Sequence, residues 1–354
     1  MRDDSAEIRQ RISDTEIARV RATSIVEVIS RYRVEWDPKK TDLRKGDYWA
    51  CCPFHGERTP SFHAEVHKGR YHCFGCGASG DAIGFVMAHE RIGFMEAVRA
   101  LGAQADPSPA AVERSERRRA AALEDDDRNK RTRVDLGRRI WNEAQHSLTG
   151  TLGESYLLAR GLEPRLEWPP TLRYVPALRH SDTGLTFPAI VAQVVSADRQ
   201  PRGCWRIYLA PDGQWKAAVT PNKMGLGVAK GAAARLGPAQ ERIAVCEGIE
   251  TALAVMELTA GSVPVWAALS ANGMRFLDLP DIVRHVDIYP DGDIARYGED
   301  GKLRKPTGRM AADDLAARLT ESGRTHTIQP ISDGLDYLDV LLAMKRAEQG
   351  RYVA

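Results

Sequence analysis

The stretch from Cys51 to Asp81 reads CCPFHGERTPSFHAEVHKGRYHCFGCGASGD and holds four of the chain's six cysteines and four of its nine histidines. Cys52 and His55 frame a two-residue spacer, and so do Cys73 and Cys76, with seventeen residues between the pairs. A two-residue spacer lets one tight turn aim both side chains at one ion, and Gly75 permits the second turn. Two such turns close a tetrahedral set of three thiolates and one imidazole, the donors of structural zinc. Four protein ligands leave no open coordination position. The expectation is therefore a metal that holds a small fold together and does no catalysis, since so few residues make a marginal core alone. Cys51, His63, His67 and His72 are close enough in sequence to be alternatives, and the matched spacing of the pairs favours Cys52. Cys204 and Cys246 stand apart and are expected to pack inside strands.

Around this cluster the pattern predicts helix over residues 5 to 31 and short strands over 47 to 76. One helix is expected after Asp81, its N-cap, through DAIGFVMAHERIGFMEAVRALGA. Residues 103 to 135 combine Pro107 and Pro109 with dense alternating charge and read as a linker running into an exposed helix to about Leu148. FPAIVAQVV and CWRIYLA read as strands joined by the polar turn SADRQPRG, within an α+β segment. From Glu241 onward, strands alternate with helices, which implies a largely parallel sheet with helices packed on it.

Two of those strands end in acids. ERIAVC runs into Glu247-Gly248-Ile249-Glu250, and VRHVDIY into Asp291-Gly292-Asp293. Active sites of open α/β sheets form at the carboxyl ends of strands. Carboxylates gathered there repel one another unless a divalent cation neutralises them, and Mg²⁺ prefers a few carboxylates plus phosphate oxygens. Such a site can orient a hydroxyl and neutralise charge during phosphoryl transfer. Ordinary loop carboxylates or helix N-caps are the plain alternative.

CPFHGERTPSFHAEV and YHCFGCGASGDAIGFV resemble the CHC2-type zinc-binding domain of bacterial DnaG-type primases over roughly residues 25 to 103. EGIETALA and YPDGD resemble the Toprim catalytic domain, particularly the variant in phage and mobile-element primases, over roughly 241 to 345. The resemblance implies an α/β multidomain chain. Its expected parts are a helical extension (1–24), a small zinc-ribbon-like domain (25–103), a charged linker and helix (104–150), an α+β middle subdomain (151–240) and a Rossmann-like parallel Toprim sheet (241–354). Carried over by motif, Glu247 is the first catalytic acid, and Asp291 and Asp293 are the metal-binding pair, with Mg²⁺ or Mn²⁺ as the cation. Asp336 and Asp339 resemble a later acidic motif, with Asp336 a further metal ligand, or else lie at a helix N-terminus favoured by its dipole. Glu250 sits at a different offset from the second acid of the housekeeping enzymes, which leaves its role open. After DGD, the stretch IARYGEDGKLRKPTGRMAADD interposes a polar, basic insertion where those enzymes pass directly into a helix.

The resemblance also implies that basic residues of the middle segment bind incoming nucleotide and template. By position these are Arg206, Lys216, Lys223 and Lys230, while Trp205 and Trp215 are expected to pack. In the zinc domain, Lys68 and Arg70 are candidate phosphate contacts, and Phe62, Tyr71 and Phe74 candidates for stacking on bases, with packing around the metal the alternative for Phe54 and Phe74. Arginine and lysine groups at 114–119, 130–133 and 302–309 can also meet phosphates or simply face solvent.

Net charge is only +2, a weak global argument for nucleic acid. No apolar run approaches the roughly 20 residues of a membrane span, and the polar start does not read as a signal peptide, so a cytoplasmic enzyme without a membrane partner is expected. No P-loop occurs, so a helicase partner would be a separate protein. The expected activity is synthesis of short RNA primers from ribonucleoside triphosphates on single-stranded DNA. A Toprim nuclease, or a non-catalytic single-strand-binding accessory protein, is the alternative.

Overall fold

The structure is a computed structural model of the 354-residue chain, and it describes residues 12–102, 109–294, 296–297, 303–304 and 307–352. The chain forms two compact units, Met1–Asp127 with Gly298–Lys302, and Arg128–Tyr297 with Leu303–Ala354.

The first unit opens with α1 (Asp14–Ala22), started by a capping box in which Ser13 and Glu16 satisfy each other's backbone N–H groups. Thr23 turns extended, so the predicted single helix is two, and α2 (Ile25–Ser30) follows. Strands β1 (Asp47–Ala50), β2 (Phe62–Glu65), β3 (Arg70–Cys73) and β4 (Ser79–Gly80) form an antiparallel sheet in chain order. Its alternation is strict: Phe62, Ala64, Tyr71 and Cys73 point into the core, and the residues between them point away. Asp81 caps α3 (Ala82–Glu90) as expected, accepting the Gly84 N–H at 2.9 Å. Arg91 then takes a left-handed conformation, φ 58°, and ends the helix, so α4 (Phe94–Gly102) is separate. The aromatic core of this unit gathers Phe62, Tyr71 and Phe85 with Val20, Ile25, Val28 and Ile29.

Helix α5 (Pro109–Glu143) runs through both units' residue ranges. In the second unit, α6 (Leu152–Ala159), capped by Thr151, precedes β5 (Leu172–Arg179), β6 (Thr186–Val195), β7 (Pro201–Tyr208) and β8 (Lys223–Gly227), an antiparallel sheet in chain order. The predicted hairpin is the β6–β7 pair. Then come β9 (Ala234–Arg235), β10 (Arg242–Cys246), α7 (Ile249–Leu258), β11 (Val265–Ala267), α8 (Ala271–Arg275), β12 (His285–Tyr289), β13 (Arg296–Tyr297), β14 (Leu303–Arg304), α9 (Thr307–Glu321), β15 (Thr325–Ile328) and α10 (Tyr337–Tyr352). The sheet order is β15-β12-β10-β11-β9, parallel except for β9.

This sheet is buried on both faces, as βα crossovers require. Ala244 and Cys246 of β10 face one core, and Ile243 and Val245 the other. The first core also takes Tyr156, Leu157, Ile190 and Ile207, so the middle segment and the parallel sheet fold around shared apolar contacts. Cys204 and Cys246 are buried in strands, as expected, and burial pushes the Cys204 thiol up to about 11. Trp205 packs against the core, but Trp215, expected to pack, is 68% exposed. Of the polar insertion, Lys302 and Lys305 lie outside the described residues. β13 and β14 form a short antiparallel ladder, and Arg309 bonds the Asp333 carboxylate at 2.6 Å.

Candidate metal centres and their surroundings

In the first unit, one ligand atom from each of Cys52, His55, Cys73 and Cys76 lies within 4.8 Å of every other. Cys52 Sγ to Cys76 Sγ is 3.8 Å, and Cys73 Sγ to His55 Nδ1 is 3.8 Å. A tetrahedron with Zn–S bonds of about 2.3 Å has a sulfur–sulfur edge of about 3.8 Å, so the donors fit zinc. Hydrogen bonds from Cys52 and Cys76 pull the Cys73 thiol far below its usual range, and Cys73 and Cys76 raise His55 to about 10. This crowding favours exchange of protons for a divalent cation. Of the sequence alternatives, Cys51 is exposed, and His63, His67 and His72 lie outside the set.

Glu57 completes the centre, and spacing gave no signal for it. Its carboxylate accepts the backbone N–H groups of Cys52 and Ser61 at 2.7 and 3.0 Å and the Ser61 hydroxyl, and stands 3.2 Å from His55 Nε2. A carboxylate on one imidazole nitrogen fixes the other toward the metal. Ser61 Oγ is 3.3 Å from Cys73 Sγ. Gly75 makes room for this arrangement: a Cβ there would fall 2.6 Å from His55 Nε2 and 2.9 Å from Ser61 Oγ.

The aromatic candidates divide. Phe62 and Tyr71 are core residues, which corrects their assignment as stacking platforms, and Phe54 packs against them. Phe74 is 55% exposed. It stacks on Trp49 with ring centroids at 5.6 Å, and Trp49 stacks on His63 at 4.4 Å. Trp49 pairs with His63 across β1 and β2, and His63 with His72 across β2 and β3, so all three share the face opposite the core. The period-two alternation of DYWA and FHAE was the available signal for Trp49. Lys40 lies 5.5 Å from the Trp49 ring centroid. Lys68 is held by Glu65 at 2.6 Å and Asp126 at 3.0 Å, while Arg70 is exposed on β3.

In the second unit, β10 and β12 are adjacent and parallel, with Cys246 opposite Tyr289. Glu247 and Asp291 therefore leave the sheet side by side, at its carboxyl edge. Burial, then Asp291 and Asp293, raise the Glu247 carboxyl to about 7. Burial, then Asp336 and Asp293, raise Asp291 to about 6. Asp291 Oδ1 is buried with no hydrogen-bond partner. Two strained carboxylates and an orphaned oxygen fit the oxygen-donor chemistry of a hard divalent cation. The acids do not converge into a ligand-spaced cluster: among the described residues only the cysteine–histidine set does so.

Two of the candidate ligands have structural duties. Asp293 accepts the Thr307 hydroxyl and the Gly308 N–H at 2.8 and 2.9 Å, tying the start of α9 to the acidic turn. Asp336 accepts the N–H groups of Leu338 and Asp339 at 2.8 and 3.0 Å, and the Asp336 N–H donates to the Asp339 carboxylate at 3.0 Å, so these residues cap α10. Asp336 remains near enough to act on Asp291.

Glu250 is buried in the first turn of α7 and bonds Lys216 at 2.9 Å and the Tyr156 hydroxyl at 3.1 Å. Burial opposes its charge, but Lys223 and Lys216 outweigh it and hold the carboxyl at about 2. Lys223 also acts on Glu247 and Asp291, which places it beside the acids. Lys230 instead lies 4.7 Å from the Phe276 ring centroid. Arg206 is a correction: it is 5% exposed, and its guanidinium bonds the Tyr208 hydroxyl at 3.1 Å and the Gly225 carbonyl at 3.2 Å, inside the antiparallel sheet.

Residues 12–116 match the CHC2 zinc finger family, 131–236 a domain of unknown function, and 242–346 the Toprim domain. The DNA primase of Helicobacter pylori is 56% identical over 79 residues, 22% of this chain and 13% of that one. The DNA primase of Haemophilus influenzae is 40% identical over 124 residues, 34% of this chain and 20% of that one. The aligned segments thus span a small part of these relatives' length. The zinc-binding and RNA polymerase domains of Aquifex aeolicus primase align over 96% of this chain and 85% of that one, at 20% identity and a TM-score of 0.38, too low to weigh. The chain thus joins a segment of the CHC2 zinc finger family to a Toprim domain, and over the first of these it is similar to bacterial DNA primases.

Proposed function

We propose that the chain is a DNA primase that makes short RNA primers on single-stranded DNA, in the replication of a phage, plasmid or other mobile element. The observation that carries this reading is the pair of buried acids, Glu247 and Asp291, at the carboxyl ends of adjacent parallel strands, with Asp291 Oδ1 unpartnered. Glu247 and Asp291, with Asp293 and Asp336 beside them, would hold Mg²⁺ or Mn²⁺. A bound cation supplies charge neutralisation at the phosphoryl oxygens and alignment of the primer 3′-hydroxyl with the α-phosphate.

The chain's own groups do the rest. Lys223 stands beside the acids as a counter-charge for the triphosphate, and Glu250 keeps Lys216 fixed nearby. Asp293 fixes the acidic turn to α9. Cys52, His55, Cys73 and Cys76 would hold a structural zinc, and the Trp49–His63–Phe74 face with Lys40 would carry unstacked template bases. A separate helicase would deliver the single strand. The domain division expected from sequence, with a zinc domain at 25–103 and a Toprim domain from 241, is part of the same proposal.

The test supplies single-stranded template, four ribonucleotides and Mg²⁺. Short RNA is the expected product. Loss of DNA without RNA would replace this reading with a nuclease, and binding without either reaction with an accessory protein.

A further inference from the structure

The first unit contains a concavity of about 330 Å³ lined by Arg21, Thr23, Ser24, His67, Arg114, Arg118 and Arg119, among others. Three segments far apart in sequence meet there: the α1–α2 junction, the turn after β2, and the first turns of α5. Four guanidiniums, an imidazole and three hydroxyls line it, and none of its lining residues is acidic.

The charges are poorly compensated from within. Arg21 reaches Asp81 at 3.5 Å, and Arg114 uses its Nε on the Ala110 carbonyl. Arg117, on another face of α5, pairs with Glu113 at 2.7 Å and is not a lining residue. Arg118 and Arg119 have no acidic partner among the described residues. Arg114 and Arg118 stand one turn apart, a like-charge spacing that disfavours a helix in isolation. A ligand of high negative charge density would reverse that sign.

We propose that this pocket binds the polyphosphate of a free nucleotide, a di- or triphosphate, at a place separate from the Toprim acids. Its volume is in the range of small-ligand sites. Guanidiniums are the preferred partners of phosphate oxygens because their planar forks donate two parallel bonds. A polynucleotide presents single phosphates strung along a track, whereas cations drawn from three segments around one concavity match phosphates linked to each other. Val66 and Ala22 on the wall leave apolar surface for the nucleoside.

The probe is inorganic triphosphate, titrated into the full-length zinc-loaded protein without divalent cation in solution. The background is Lys216→Ala with Lys223→Ala, which removes the cations beside the Toprim acids. One site is expected. Arg118→Ala and Arg119→Ala, made separately, should each weaken it about tenfold or more with zinc content unchanged. A ten-nucleotide thymidine strand, titrated in parallel, should lose less than about twofold in the same variants. Unchanged triphosphate affinity in both variants would overturn the proposal. So would an equal loss for the oligonucleotide, which would make the pocket part of a nucleic-acid track.

Discussion

Glu57 shows how much of a metal centre lies outside its ligands. It bonds two backbone N–H groups of the ligand loop and stands 3.2 Å from His55 Nε2, so its removal frees the imidazole and loosens the turn. Glu57→Ala should lower zinc affinity by about 10- to 100-fold in a chelator competition while the protein remains folded at saturating zinc. Unaltered affinity would mean that His55 is oriented by something else. At the other centre, Glu247 and Asp291 titrate at about 7 and about 6, above the unfolded value of about 4. The folded state therefore holds extra protons between those values. Without a cation its stability falls as pH rises through about 4 to 7, and a bound cation offsets the loss. Calorimetry of Mn²⁺ binding in buffers of different ionisation enthalpy should show proton release at about pH 6 and none at about pH 8.5. Absence of release at the lower pH would show both carboxylates already ionised.

At the scale of elements, the acidic turn is defined by close approach. A Cβ on Gly292 would fall 2.2 Å from the Ser332 carbonyl oxygen and 2.6 Å from that of Leu335. Both contacts are backbone, so the turn between β12 and α9 must move. Gly292→Ala should weaken Mn²⁺ binding at least about tenfold while the β10–β12 pairing keeps its hydrogen-exchange protection. Normal binding would show that the turn tolerates the shift.

Much of this was legible in sequence, for identifiable reasons. The βα alternation after Glu241 and the FPAIVAQVV–CWRIYLA hairpin follow hydrophobic period and turn residues, and the structure has both. Ligand spacing found the zinc set because short turns are local. What sequence missed was set by tertiary contact. Arg206 reads as a strand cation and becomes a buried bond donor only because Tyr208 and Gly225 meet it across the sheet. Glu250 reads as an offset acid and is a buried partner of Lys216. The helix after Asp81 divides because Arg91 takes a left-handed conformation that residue type does not announce.

At the scale of the whole molecule, the two units have separate apolar cores. The first is small and rests on its metal, whereas the second packs sheets and helices around large cores of its own. Chelation should therefore abolish exchange protection in β1–β3 and leave that of β10 and β12 intact. Simultaneous loss in both would contradict independent stability. In the proposed function, chemistry belongs to the second unit and template handling to the metal-holding ribbon. The measurement that bears on this most directly is formation of the first dinucleotide on single-stranded template by wild type and by Asp291→Asn, with zinc content and template affinity determined on the same samples. The account predicts that Asp291→Asn loses dinucleotide synthesis by about a hundredfold or more, with zinc and template binding within about twofold of wild type. Synthesis at the wild-type rate in that variant would contradict it.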